Sequence, residues 1–294
     1  MKKLPFLLLL PLLGAGCMSK PQPPIVNPLV ETSDTKVYCQ GEGILGSKQI
    51  AMNQNEYCIH SNSDEIFFRE EKGIKPNTSF DYSFEVVDSK GNIITDFKEM
   101  YGKKMHLAIV RADLQEFLHV TPEFNATTNK FMMRNVVLPT DGRYRVIAYF
   151  APTAEKSAVS TYETISVGDI SKFEFLPPEN PETEKTIGNN TFKMTTNPSP
   201  LKANQDSTIT VSLTQNGKPV NIDVSKYLPQ IGPLFVIKQD ELTFVPVPQS
   251  AVSAAGTNGV SFKINFPMSG NYKVFLDYPL VGTRELITNV IEVK

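Results

Sequence analysis

The chain has 294 residues and a formal net charge of −2, from 29 basic and 31 acidic side chains. That balance, with no basic cluster interleaved with aromatics, no Gly-rich phosphate loop and no zinc-finger spacing, excludes a nucleic-acid binder. The length suffices for two cores of ordinary size, and 22 prolines and 17 glycines punctuate short alternating apolar runs instead of helical stripes.

The chain opens with "MKK", a short positive region, followed by "LPFLLLLPLLGAG", an apolar stretch too short for a stable membrane span. Cys17 closes it, and "LLGAGC" resembles the lipobox of bacterial lipoproteins, although Gly14 replaces the usual bulky aliphatic. The resemblance implies cleavage, palmitate-type acylation of Cys17 and a folded part held outside the cytoplasm. Met18 is not the aspartate of an inner-membrane retention signal, which favours the outer membrane over the inner one. An ordinary secretory signal with an incidental cysteine is the alternative. Removal of Lys2 and Lys3 with the signal, residues 1–17, takes the charge to −4, and residues 18–36, rich in proline, read as a tether.

Cys39 and Cys58 come next. In an oxidising compartment a disulfide between them is the default, closing a loop of about 20 residues worth roughly 3 kcal/mol. A copper-binding or redox thiol pair is the competing reading, without the compactness of CxxC. "DEIFFREEKG" then concentrates Asp64, Glu65, Glu70 and Glu71, the pattern of a solvated strand edge.

"SFDYSFEVVD" places Phe80, Tyr82, Phe84 and Val86 on one face of a half-buried strand, and Ser89–Asn92 supplies a hairpin turn. "MHLAIVRADLQEFLHV" reads as strand, turn and strand, which brings His106 and His119 near one another across an antiparallel ladder. "GRYRVIAYF" alternates Tyr144, Val146, Ala148 and Phe150, and "TYETISV" ends the pattern. After the Pro-rich stretch "SKFEFLPPENPETEKTIGNN" the pattern starts again. Gly91 is answered by Gly217, Leu107 by Leu234, Asp113 by Asp240 and Phe117 by Phe244; Pro139, Gly142 and Tyr144 are answered by Pro267, Gly270 and Tyr272. The chain therefore reads as two copies of one module, all-β, each an immunoglobulin-like sandwich of antiparallel sheets. The expected organisation is a first sandwich at 37–168 with the disulfide segment, a linker at 169–190, and a second sandwich at 191–294. Tyr144 and Tyr272 are placed to lay a ring on the core while the hydroxyl reaches backbone. Asp113 and Asp240 recur in both copies, which assigns them to turn shape before chemistry.

These residues resemble the copper-associated β-sandwich domains called YtkA-like. The first copy carries the pattern in His106 of "MHLAIV", Asp113, Phe117, His119 of "LHVTPE", and "LPTDGRY" with Leu138 in place of an aromatic. The second keeps Asp240 and "FPMSGNY" but has Pro233, Pro246 and Pro248 where the pattern has histidines, and Thr121 replaces one histidine of the first copy. The resemblance covers most of residues 75–167 and 200–293.

The candidate metal ligands are thus His106, His119 and Met105, a set suited to a soft ion such as Cu(I). Met132 and Met133 are further thioethers within reach in sequence. Two imidazoles fall short of a complete zinc site, and methionines in apolar alternation usually fill core. The alternative is that the histidines are hydrogen-bonded sheet residues, and His60 reads as a surface residue. No nucleophile elbow or partnered serine is present. The expected function is a non-catalytic, membrane-anchored module for binding, adhesion or envelope structure, without cofactor, whose partner is an envelope protein or glycan; copper binding by the first copy is the alternative.

Overall fold

The computed structural model describes residues 57–61, 74–173, 183–221, 233–256, 258–280 and 283–294. The expected signal, Cys17, the tether, Cys39, the acidic run from Asp64 to Glu71 and residues 174–182 of the expected linker lie outside them, as does the side chain of His60.

The first copy contributes β1 (Tyr57–Ser61), β2 (Phe80–Asp88), β3 (Phe97–Lys98), β4 (Met105–Arg111), β5 (Phe117–Val120), β6 (Glu123–Asn125), β7 (Lys130–Val136), β8 (Gly142–Pro152) and β9 (Val159–Val167). The second contributes β10 (Glu184–Ile187), β11 (Asn190–Asn197), β12 (Asp206–Gln215), β13 (Lys218–Pro219), β14 (Phe235–Lys238), β15 (Phe244–Val245), β16 (Val252–Ala254), β17 (Gly259–Asn265), β18 (Gly270–Leu280) and β19 (Thr283–Val293). Glu184–Ile187, inside the stretch expected to link the copies, instead pairs with β11 as an edge strand.

The chain is all-β and forms two tandem immunoglobulin-like sandwiches. In the first, a sheet ordered β1-β2-β7-β6 faces one ordered β3-β8-β4-β5, with β9 paired to β8. Between them lie Tyr82, Phe84, Val86, Phe131, Tyr144, Val146, Ala148 and Phe150, the inward positions that alternation gives to β2, β7 and β8. In the second, β10-β11-β12-β17-β16, with β13 on β12, faces β15-β14-β18-β19. Phe192, Ile209, Val211, Phe262, Tyr272, Val274 and Leu276 fill that core. A parallel bridge closes each sandwich at the same place, Ile74 with Val167 and Leu201 with Val293.

The repeated punctuation has the expected local causes. Asn216 and Gly217 both hold positive φ, 51° and 73°, as the two central residues of the tight turn that joins β12 to β13. The Asp88 carboxylate accepts from the Lys90 and Asn92 amides to shape the equivalent turn in the first copy. Tyr144 and Tyr272 send their hydroxyls to the Thr140 and Met268 carbonyls at 3.1 and 2.8 Å, the same corner built twice. Tyr272→Phe removes that donor without opening a cavity, and is expected to cost about 1 kcal/mol in a urea unfolding curve.

One expectation changes. Strands β4 and β8 are not half-buried: every residue of β4 is buried, and Arg145, Ile147 and Tyr149 on the outward face of β8 are as covered as its inward face. What covers them is the second sandwich. A third apolar cluster joins Tyr101, Ala108, Val110, Leu114, Ile147 and Tyr149 of the first copy to Phe235, Ile237, Leu242, Phe244 and Phe275 of the second. The inner sheets of the two copies are packed face to face, so the described residues of the two sandwiches form a stack of four sheets with three buried layers.

Candidate functional site

The histidines lie in the middle layer. Strand β4 pairs with β5 so that Ala108 is opposite His119, which sets His106 and His119 diagonally across the ladder on the outward face. Their rings stack at 5.3 Å between centroids, with His106 Nδ1 3.1 Å from His119 Nε2. The neighbouring residue Met105 points the other way, fully buried in the first sandwich's own core, so alternation keeps it from the two imidazoles. Met133 lies in that same core. The structure brings together two of the three expected ligands and places the third on the opposite face.

Hydrogen-bond chemistry fixes where the protons sit. His106 Nε2 is 2.8 Å from the Met100 carbonyl oxygen, which can only accept, so Nε2 carries a hydrogen. Burial in this apolar layer lowers the pKa of His106 to about 4, partly offset by the Met100 carbonyl, so the ring is neutral near pH 7 and its Nδ1 is a bare acceptor. His119 Nε2 therefore donates to it. The other nitrogen of His119, Nδ1, is 3.0 Å from Oδ2 of Asp277, a residue of the second sandwich. The row runs from the Met100 carbonyl through both imidazoles to Asp277 and engages all four ring nitrogens. Side-chain exposure is 6% for His119 and 16% for Asp277, so the bridge is largely shielded from solvent.

Other polar groups on this face do the same work. Tyr101 donates its hydroxyl to the Val247 carbonyl at 3.0 Å, and its amide to Gln249 Oε1 at 2.7 Å. The Tyr149 hydroxyl reaches the Val247 carbonyl at 3.4 Å. Burial pushes both phenols well above their ordinary pKa, so they stay protonated donors. Arg145 Nη1 donates to the Leu242 and Glu241 carbonyls at 2.9 and 3.2 Å, and its guanidinium lies 4.1 Å from the Tyr162 ring centroid. Around them Phe117 stacks on Phe275 at 4.2 Å and meets Phe235 edge-on at 5.4 Å.

Sequence reasoning found the two histidines and missed Asp277, Tyr101, Tyr149 and Arg145, their partners in the same layer. The signal was available in "YRVIAYF" and "YKVFLDY", where the face opposite the predicted core also carries large apolar side chains, Ile147, Tyr149 and Phe275, beside Arg145, Lys273 and Asp277. Asp113 and Asp240 act in turns, as expected. Asp113 accepts from Arg111 Nε at 2.9 Å and from the Gln115 amide at 3.1 Å, and Asp240 accepts from Lys238. Among the described residues no group of three or more His, Cys, Asp or Glu side chains is placed to hold a metal ion. Nor does any helix among them have the length and apolar character to cross a membrane.

No curated protein matches the chain. Among solved structures, the chain is similar to FdeC, an Escherichia coli adhesin, at 12% identity, covering 82% of this chain and 64% of that one, with a TM-score of 0.25. Invasin, a bacterial integrin-binding protein, is 15% identical over 81% of this chain and 39% of its own, with a TM-score of 0.22. SGBP-B of the Bacteroides ovatus mixed-linkage glucan utilization locus, in complex with a mixed-linkage heptasaccharide, is 10% identical over 75% and 42%, with a TM-score of 0.19. The chain spans less than two thirds of each of these proteins, and TM-scores this low bear on neither partner nor activity. The family model that matches is the one described as Domain of unknown function (DUF8832), over residues 61–166 and 185–294. Those stretches cover most of the chain, one in each sandwich, and the chain belongs to the DUF8832 family.

Proposed function

We propose that the chain is a non-catalytic binding or adhesion module of a bacterial envelope, lipid-anchored through Cys17 and carried outside the cytoplasm, on the outer membrane in a double-membrane cell. The observation that supports this reading is where the reactive side chains have gone. His119, two phenols and a guanidinium on the middle layer hold one sandwich against the other, with His106 bonded behind His119, which leaves recognition of an envelope protein or glycan to the exterior sheets and loops. The lipobox-like "LLGAGC" supports the anchor, and the Cys39–Cys58 disulfide belongs to the same extracytoplasmic reading.

The test is to express the full chain and its Cys17→Ala variant in the bacterium that makes it and to cross-link on intact cells. The expected result is acylated wild type in the membrane fraction, released variant, and one recurrent envelope protein or glycan adduct on the wild type. Equal partitioning of both proteins, or no adduct above that of an unrelated anchored sandwich, would overturn the reading.

A second reading, copper binding in the manner of YtkA-like domains, is favoured by the 3.1 Å approach of His106 and His119. It requires those nitrogens to give up their mutual hydrogen bond, and His119 to keep or lose Asp277. Anaerobic Cu(I) titration against a chromophoric chelator, beside the His106→Ala/His119→Ala double variant, separates the two. On the primary reading wild type and variant compete equally weakly. Tight one-to-one uptake by the wild type alone would establish the copper reading instead.

A further inference from the structure

Two arginines of the first copy are buried, and their surroundings differ. Arg111 is 9% exposed and meets the carboxylates of Asp113 and Glu116, each at 2.9 Å. Burial opposes its charge, the two carboxylates outweigh that, and its pKa rises. Arg145 is 5% exposed and, among the described residues, meets no carboxylate. Its Nη1 is taken by the Glu241 and Leu242 carbonyls and its guanidinium faces the Tyr162 ring, yet burial lowers its pKa, with Tyr162 opposing. Dipoles and a ring surround this cation, and no counter-charge does.

Hydrogen-bonding capacity is left over at the same corner of the middle layer. The Nε–H of Arg145 is shielded from solvent and has no acceptor. Thr164 is directly opposite Arg145 on the ladder of β8 and β9, so both side chains leave the sheet on the face that meets the second sandwich. The Thr164 hydroxyl is likewise shielded and without a partner. A third such group, Oε1 of Gln239, belongs to the turn of the second sandwich that the Leu242 amide closes on the Lys238 carbonyl, the turn whose carbonyls Arg145 holds. Unpaired buried polar groups are costly, and a buried charge without a counter-charge is costlier still. Water would fill the hydrogen bonds and leave the charge, whereas an anion answers both. Arg145 Nε and the Thr164 hydroxyl are donors, and the Gln239 amide can present its NH2 end, so the three suit a ligand that only accepts. Their burial suits a small one.

We infer that the Arg145 and Thr164 corner of the middle layer binds a small monovalent anion of chloride size. The anion supplies the counter-charge that Arg145 lacks and bridges the guanidinium to the Thr164 hydroxyl where the first sandwich meets the second. This assignment is independent of the proposed envelope role.

The experiment follows urea unfolding of the full chain at fixed ionic strength while sodium gluconate is replaced by sodium chloride or sodium bromide. The folding equilibrium constant of the wild type is expected to rise on the order of 10-fold by about 0.2 M halide, the response of a native-state site with a Kd of about 20 mM. Thr164→Val keeps the shape of the side chain, removes one donor and is expected to lose most of that response. Arg145→Met removes the charge and is expected to lose all of it. In crystals grown in bromide, anomalous scattering is expected beside Arg145 Nε. A wild type equally stable in the three salts, a halide response that both variants keep, or a water molecule without bromide signal at that position would each overturn the assignment. If Arg145→Met does not fold, Thr164→Val and the bromide crystal decide it.

Discussion

Phe275→Ala is expected to lower the unfolding free energy by about 3–5 kcal/mol, the range for truncating a fully buried phenylalanine. The residue is 1% exposed, yet it belongs to neither sandwich's own core. Alternation puts Val274 and Leu276 inside the second sandwich and turns Phe275 outward, where its ring lies parallel to Phe117 of the first copy, 9° between planes. On an isolated sandwich this position faces water, and truncation there costs within about 0.5 kcal/mol. A urea unfolding curve therefore reads the covering of the face directly. A loss of several kcal/mol places Phe275 in a buried layer, and a loss below about 1 kcal/mol would mean that the face is open in solution.

The second large effect is a pH dependence carried by His106. In the folded chain its imidazole stays unprotonated down to about pH 4, because desolvation opposes the charge, whereas the unfolded chain takes up that proton near the ordinary value of 6.5. Between those values the unfolded state binds more protons, so falling pH favours unfolding. The contribution of His106 is complete above about pH 6.5 and is lost progressively toward pH 4, a swing of about 3 kcal/mol. His106→Gln supplies one donor and one acceptor without a titrating ring. The stability difference between wild type and this variant should shrink by about that amount from pH 7 to pH 4, other titrations cancelling in the comparison. Parallel pH profiles would show that His106 is solvated, in conflict with its place between the sandwiches.

Much of this architecture was legible in the sequence because the repeat states it twice. The tyrosine corners at Tyr144 and Tyr272, the Asn216-Gly217 turn and the inward faces of β2, β8 and β18 follow from local alternation and turn chemistry, which sequence carries residue by residue. The approach of His106 to His119 followed from pairing across one turn. The partner of that pair did not, because Asp277 lies 158 residues beyond His119 and meets it only through the docking of two sandwiches. The clue was compositional: "HLAIV", "PLFVI" and "VIAYF" are apolar at consecutive positions, the mark of strands buried on both faces, whereas "ITVSLTQ" in β12 alternates as a strand with one wet face does. Treating every strand as half-buried hid the middle layer.

The central claim is that two sandwiches joined through His119 and Asp277 form one folding unit. Differential scanning calorimetry of the soluble chain, beside Asp277→Ala, tests it most directly. The prediction is a single transition for the wild type whose calorimetric and van't Hoff enthalpies agree, splitting or falling in temperature in the variant. Two separate transitions in the wild type, unmoved by Asp277→Ala, would contradict it.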